Sequence, residues 1–394
     1  MNINIFKDKN TIVVSCPSRT VQYLKKELAD LGFATLAESP LSVTIEGTML
    51  DCMKLNLYLR TGHRVLFQIK EFKAANPNEL YNEVLLIPWE KIIDVNGYFS
   101  VLSYSDNPEI NDSRFPNLKC KDAIADRFME KAGRRPDSGP DKNSAVIYLH
   151  WKDDKVSIYI DTSGETIGKH GYRKIPFKAP LIESLAASII LASKWDQNSN
   201  FINPMCGSGT LVIEAALIAQ KRPSGLLRSN YGFMHILGFE EVEKDWEEMR
   251  RQARLSSVNR VLPFKIIASD IDEEAINVAK RNAATAGVDH LIEFIECDFR
   301  QTPIPEGTGV VILNPEYGVR MGVEAELEET YKEIGDFFKK SCSGYTGYVF
   351  TGNLDLGKKI GLKTKRKIEF YNANIDCRLL EFELYKGSNR VVEA

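Results

Sequence analysis

Residues 309–322 read GVVILNPEYGVRMG, an apolar run (Val310-Val311-Ile312-Leu313) that stops at Asn314-Pro315-Glu316-Tyr317. These residue types suit one reaction. An exocyclic amine on a nucleobase is a poor nucleophile, because its lone pair is delocalised into the ring. The Asn314 side-chain oxygen and the Pro315 carbonyl can accept hydrogen bonds from the amine's N–H groups and aim that lone pair at an electrophilic carbon. Pro315 fixes φ and stiffens the corner. Tyr317 can stack on a base taken out of its helix. Methyl transfer by in-line attack then depends mainly on positioning, and no strong base is needed. Taken alone, the tetrapeptide is equally a solvent-facing turn after a buried strand, where Asn-Pro is ordinary.

A second corner, NPMCGSGT at 203–210, follows a short strand and opens a helix. Without a Cβ at Gly207 and Gly209 the backbone can turn sharply and touch a ligand. The following helix directs free N–H groups and its positive end at that ligand. No lysine follows the second glycine, so this is not a P-loop, and Val212 stands where a dinucleotide fingerprint has its third glycine. Asp270 ends the next strand, where a carboxylate can accept both hydroxyls of a ribose. Asp298, in ECDF, ends the third and can meet an adenine amine. Each aspartate is alternatively a helix N-cap, a role that Asp272 fits better than Asp270. Three nucleoside-reading strand ends without a phosphate clamp point to S-adenosylmethionine, whose carboxylate takes the helix N-terminus. The candidate cofactor residues are Asn203, Pro204, Cys206, Gly207, Ser208, Gly209, Thr210, Asp270, Ile271, Asp298 and Phe299. The candidate catalytic residues are Asn314, Pro315, Glu316 and Tyr317.

The elements that must position these groups are visible from about residue 170 onward, where short apolar strands alternate with helices. That rhythm implies a parallel sheet covered on both faces. The tail KIEFYNANIDCRLLEFELYK reads as a hairpin around Asn372-Ala373-Asn374 that appends antiparallel strands. Residues 221–262 are too long for a simple loop. Before this lie two α+β segments. Residues 11–70 hold strands at TIVVSCP, LSVTIEG and HRVLFQIK, with a helix at VQYLKKELADLGF. Residues 71–165 hold a helix at PNELYNEVLLIPWEKII, a strand at YFSVLSYS, and an amphipathic helix at KCKDAIADRFMEKAG with Ile124, Phe128 and Met129 on its apolar side. A hairpin around Asp153-Asp154 completes this segment.

A chain of 394 residues is expected to hold two or three domains. Its net charge of −3 makes no global case for nucleic acid, which must rest on local patches. The seven cysteines are scattered without a C-x-x-C pair and read as reduced thiols, and no metal site is expected. No signal peptide and no spanning apolar run are visible, so a cytoplasmic protein is expected.

NPMCGSGTLVIEAALIA and NPEYG resemble the class I methyltransferases that act on exocyclic amines, whose signature is (N/D)-P-P-(Y/F). DTSGETIGKHGYRK followed by APLIESLAASIILAS resembles the entry to the catalytic domain of THUMP-containing RNA methyltransferases. The nearest likeness is to the bacterial guanine-N2 methyltransferases of 23S ribosomal RNA, in a form with a single methyltransferase domain. The resemblance implies an α/β fold: a ferredoxin-like domain at 1–68, a THUMP RNA-binding domain at 69–165, and a Rossmann-like methyltransferase domain with a mostly parallel seven-stranded sheet at 166–394. It implies S-adenosylmethionine as cofactor, with Ala179, Pro180 and Glu183 near its methionine end, and RNA as partner. Three positions depart from the family pattern: Asn203 stands for an aspartate, His170 for a basic residue, and Glu316 for the second proline.

Glu316 invites a specificity argument. The Watson–Crick edge of guanine presents two adjacent donors, N1–H and the N2 amine, which a carboxylate complements; adenine presents a bare N1 acceptor there. Candidate RNA contacts are Lys131, Arg134, Arg135 and Lys142, and the run Lys358, Lys359, Lys363, Lys365, Arg366 and Lys367. Arg222, Arg228, Tyr231 and Phe233 offer a substrate-side surface with phosphate and stacking contacts, and packing of the two aromatics in the core is an equal alternative. Other amine acceptors stay open: adenine N6 in DNA, guanine in transfer RNA, a glutamine side chain. So does a binding protein that lost catalysis through Glu316.

Overall fold

The computed structural model describes residues 5–107, 110, 112, 114–175, 180–257, 261–318 and 324–385. They form two compact units. The first draws on residues up to Cys16, Leu24–Gly168 and Pro223–Leu255; the second on Pro17–Tyr23, Lys169–Arg222 and the chain from Ser256 onward.

The first unit contains β1 (Asn10–Ser15), α1 (Val21–Asp30, from Leu24), β2 (Ala37–Ser39), β3 (Ser42–Gly47), α2 (Met49–Tyr58), β4 (Arg64–Lys73), α3 (Pro77–Leu85), β5 (Tyr98–Asp106), α4 (Phe115–Ala132), β6 (Asp137–Ser138), β7 (Ala145–Lys152) and β8 (Lys155–Asp161). Its strands form one sheet in the order β2-β3-β1-β4-β8-β7-β5-β6. The two α+β segments separated in sequence near residue 70 therefore share a continuous sheet, joined by the antiparallel pairing of β4 with β8. The helix α2 was not singled out from the sequence: Met49, Cys52, Met53, Leu55, Asn56 and Leu57 are buried, and only a narrow, partly exposed stripe at Asp51, Lys54 and Tyr58 marks its period. A capping box between Thr48 and Asp51 starts it. The helix expected over 77–93 ends at Leu85, and only a single 3₁₀ turn, Trp89–Lys91, follows Pro88. In α4, Ile124 and Phe128 are buried as the spacing requires, but Met129 is 49% exposed. Five residues beyond Ile124 puts it about 140° round the helix.

The second unit contains α5 (Glu183–Ser193), β9 (Asn200–Pro204) and α6 (Thr210–Ala219). After α7 (Phe239–Ser256), which folds with the first unit as far as Leu255, come β10 (Ile266–Asp270), α8 (Glu273–Ala286), β11 (Ile292–Glu296), β12 (Gly309–Leu313), α9 (Glu324–Ser341), β13 (Tyr345–Thr351), α10 (Leu354–Lys359), β14 (Arg366–Asn372) and β15 (Ile375–Glu383). The seven strands run β11-β10-β9-β12-β13-β15-β14. The first five are parallel, and the β14–β15 hairpin adds the antiparallel edge. This is the parallel, doubly wound sheet expected from the strand–helix rhythm, and its seven strands with an antiparallel edge match what the resemblance implies.

The insertion between α6 and β10 is mostly first-unit core. Tyr231 and Phe233 are fully buried, stacked at 5.2 Å, with Trp246 edge-on to both. Arg228 donates to the carbonyls of Ser163, Glu165 and Thr166. Of the two readings left open for Tyr231 and Phe233, packing is the one observed. No helix among the described residues is long and apolar enough to cross a membrane.

Candidate active site

In the second sheet β9 lies between β10 and β12, and β11 flanks β10, all parallel. Their carboxyl ends share one edge. The structure thus brings the glycine corner, Asp270, Asp298 and Asn314 to the same rim, beside the point where strand order reverses.

The corner after β9 is built from positive-φ backbone at Met205, Gly207 and Gly209. Gly209 is the N-cap of α6, and no side chain caps that end. First-turn N–H groups therefore face outward for a ligand. All ten residues of α6 are buried, so the helix is held from every side. The two glycines do different jobs. A Cβ on Gly207 would meet nothing within 4 Å; one on Gly209 would come 2.9 Å from the Ala279 methyl of α8. With φ +80° as well, Gly209→Ala is expected to destabilise the fold by about 2 kcal/mol, read as a lower urea midpoint at unchanged slope.

Asp270 braces this loop. One carboxylate oxygen accepts from the Gly207 N–H at 2.9 Å and the other from the Asp272 N–H at 3.1 Å. Each oxygen keeps acceptor capacity. Asp272 caps α8, accepting from the Glu274 N–H, as its position suggested. Ile271, between them, is 72% exposed, a bare apolar surface beside the carboxylate. Asp298 is differently engaged. It caps the 3₁₀ turn Phe299–Gln301, and both its oxygens bind the Arg300 guanidinium. Arg300 holds its carboxyl below the usual carboxylate range. The cap reading is the one realised there, and an adenine amine would share that carboxylate with Arg300. Phe299 is buried, edge-on to Phe337 at 5.9 Å.

Several cofactor candidates shape the corner from within. The Asn203 side-chain nitrogen donates to the Ile312 carbonyl at 2.7 Å and ties β9 to β12, the strand that carries Asn314. An ionised aspartate could not make that bond. Pro204 and Ser208 are buried. The Cys206 thiol is pushed well up, chiefly by burial, so it is no nucleophile. The Thr210 hydroxyl accepts from Arg173 at 3.1 Å.

Arg173, not singled out from the sequence, organises the entry to this domain. It also donates to the Leu181 carbonyl and lies 3.6 Å from the Glu183 carboxylate. Glu183 is 2% exposed, its pKa raised by burial against the pull of Arg173. His170 pairs with Glu214 of α6 at 2.7 Å, both buried. Pro180 is half-buried, and Ala179 lies outside the described residues.

At the transfer corner Pro315 is buried, Asn314 and Tyr317 are half-buried, and Glu316 is exposed. The Asn314 side-chain oxygen is buried and accepts no hydrogen bond from the described residues. A buried acceptor left this way is costly unless a ligand completes it. Tyr317 is anchored by its hydroxyl, which accepts from the Asn372 side chain at 2.9 Å, and its ring meets Phe350 edge-on at 6.3 Å. Tyr331 of α9 donates to the Thr351 hydroxyl at 2.8 Å or accepts from it, and lies 3.4 Å from the Glu316 carbonyl.

The basic runs look weaker in the fold than in the sequence. Lys358 pairs with Asp355, Lys359 with Glu328, Lys365 with Glu383 and Arg366 with Glu381. Asp355 is the i,i+3 neighbour of Lys358 within α10, but Glu328 comes from α9 and Glu381 and Glu383 from β15, where a local reading of 358–367 cannot see them. In the other run, Lys131 pairs with Glu130 and Arg134 binds Asn96.

Family models match this chain in three stretches: an RlmL ferredoxin-like domain at 11–66, a THUMP domain at 74–161, and an RMKL-like methyltransferase domain at 170–381. The ribosomal RNA large subunit methyltransferase K/L of Syntrophotalea carbinolica is 35% identical over 379 residues, covering 94% of this chain and 53% of that protein. The chain therefore spans about half the length of the curated relatives it matches. Among solved structures, SMU.472 in complex with SAH superposes with a TM-score of 0.85 at 26% identity, covering 97% of this chain and 99% of that one. A Listeria monocytogenes protein, described as a predicted N6-adenine-specific DNA methylase, gives 0.83 at 30% identity, covering 97% of both chains.

Proposed function

The chain belongs to the RMKL-like methyltransferase-domain family, and we propose that it transfers a methyl group from S-adenosylmethionine to the exocyclic N2 amine of a guanine in 23S ribosomal RNA. The observation that carries this reading is the buried, uncompleted side-chain oxygen of Asn314 on the rim that also carries the glycine corner and Asp270. The residues present fit the cofactor. The open side of Gly207 and the uncapped N-terminus of α6 accommodate a carboxylate-bearing chain. Asp270 offers acceptors for ribose hydroxyls, and Ile271 offers an apolar face for a base. Glu183 and Arg173 flank the entry to α6.

Bound S-adenosylmethionine supplies an electrophilic methyl group on a positively charged sulfur. The protein's own part is to hold the amine. Asn314 Oδ1 and the Pro315 carbonyl accept its N–H groups, so its lone pair points away from them. Pro315, buried and with fixed φ, keeps these acceptors in place. Tyr317 supports the extruded base. Positioning of this kind suffices, since the methylated amine sheds its extra proton readily. The first unit, which includes the THUMP match, supplies the grip on RNA.

Glu316 selects guanine by accepting from N1–H. Glu316→Gln and Glu316→Pro are expected to lower the guanine-over-adenine preference by roughly tenfold. An unchanged preference in both variants removes that carboxylate from base recognition. The function itself is tested by tritium transfer from labelled cofactor to ribosomal RNA, transfer RNA, DNA and protein fractions, followed by nucleoside mapping. N2-methylguanine in 23S RNA is expected. Label found only as N6-methyladenine in DNA overturns the reading.

A further inference from the structure

The C-terminal hairpin, appended beyond the parallel strands, reaches back to the transfer corner through a specific set of contacts. Asn372, the last residue of β14, gives its side-chain N–H to the Tyr317 hydroxyl at 2.9 Å, and the Cys377 sulfur of β15 lies 3.8 Å from the same oxygen. Burial pushes the Tyr317 hydroxyl up to about 12, so it is a neutral anchor. The ring fits because residue 352, just past the end of β13, is glycine. A Cβ there would lie 2.8 and 2.9 Å from two Tyr317 ring carbons and 2.6 Å from the Ile375 side chain. The turn between β14 and β15 holds Ala373 at φ +52°, a conformation that alanine adopts only when its surroundings impose it. Ile375 follows that turn, is 46% exposed, and together with the Tyr317 ring lines the space that a Cβ on residue 352 would fill.

We infer that Asn372 and Gly352 are positioning residues that set the angle of Tyr317, and that the exposed side chain of Ile375 is the apolar wall against which the acceptor base rests. This builds on the methyltransferase reading above. A tyrosine that supports an extruded base must not swing, because a lateral displacement of the base misaligns the amine with the methyl carbon. The corner alone cannot prevent this: the tyrosine's far end is held from the hairpin. The exposed isoleucine gives the base a second apolar surface beside the ring.

The test is a double-mutant cycle in the full chain, with turnover on 23S RNA and calorimetry of S-adenosylhomocysteine as readouts. Asn372→Ala and Tyr317→Phe are each expected to lower kcat by about tenfold, and the double variant no further than either alone. Asn372→Asp, whose carboxylate can accept a hydrogen bond from the tyrosine hydroxyl, is expected to recover most of the loss. Cofactor affinity stays unchanged throughout. Ile375→Ser is expected to raise KM for RNA with kcat retained. Losses that add in the double variant, or wild-type kcat in Asn372→Ala and Gly352→Ala alike, overturn the positioning role. An unchanged KM in Ile375→Ser overturns the wall. Should Gly352→Ala fail to fold, the Asn372–Tyr317 cycle decides. Wild-type label on a different acceptor overturns the guanine assignment alone, and the cycle is then run on that acceptor. No transfer to any acceptor overturns both readings.

Discussion

Asn314→Ala is expected to cut methyl-transfer turnover by about 100-fold to 1000-fold, the size seen when one preorganised polar group is removed from a reacting centre. The physical basis is the buried side-chain oxygen that accepts nothing from the described residues. An acceptor amine placed there would complete that atom, so on the proposed reading its effect falls on the bound, reacting state. Affinity for S-adenosylhomocysteine should stay near wild type, because that molecule carries no acceptor amine to place. Asn314→Asp keeps an acceptor in the same place and is expected to retain more of the rate than alanine. Single-turnover assays at saturating cofactor measure both. Full turnover in Asn314→Ala would mean that the amine is held by other groups.

Asp270 is the second large effect, with the opposite signature. Its two carboxylate oxygens tie the Gly207 and Asp272 N–H groups together across the mouth of the glycine corner. Asp270→Ala removes both ties and the acceptors offered to a ribose. Bonds to a charged group are stronger than neutral ones, so a loss of about 100-fold or more in S-adenosylhomocysteine affinity is expected. Asp270→Asn keeps one acceptor oxygen but turns an NH₂ toward a backbone N–H, and should fall between alanine and wild type. Turnover at saturating cofactor should recover toward wild type in the asparagine variant, unlike anything achieved by saturating Asn314→Ala. Calorimetry with S-adenosylhomocysteine separates the two expectations directly: a loss of affinity in Asp270→Ala and none in Asn314→Ala. Wild-type affinity in Asp270→Ala would remove this carboxylate from cofactor binding.

How much of this was legible beforehand follows from what short-range sequence can encode. The parallel sheet, its antiparallel hairpin edge and the order of the strand ends were readable, because apolar runs of strand length alternate with helical periods and turn residues punctuate them. Glycine at 209 was readable because a positive-φ N-cap admits little else. The helix α2 was not, since six of its ten residues are buried and the stripe at Asp51, Lys54 and Tyr58 that marks its period is short. Asp298 reads both as a cap and as an acceptor for an adenine amine, because both roles need the same side chain, and the grip of Arg300 on its carboxylate shows only in the fold.

The sequence by itself determined which groups could do the chemistry: an amide and a proline at one strand end, two glycines at another, a carboxylate at a third. Side-chain type and its offset from a strand or helix are local properties, and chemistry-bearing corners are short. Tertiary structure alone decided how those groups are held. Arg173 reaches Thr210 and Glu183, Asn203 ties β9 to β12, and Asn372 holds Tyr317 from 55 residues away. It also decided that Lys359 is paired with an acid of α9, and Lys365 and Arg366 with acids of β15. Partners brought together by chain crossings leave no mark at the positions they serve, because hydrogen bonds and ion pairs depend on distance in space and not on separation along the chain.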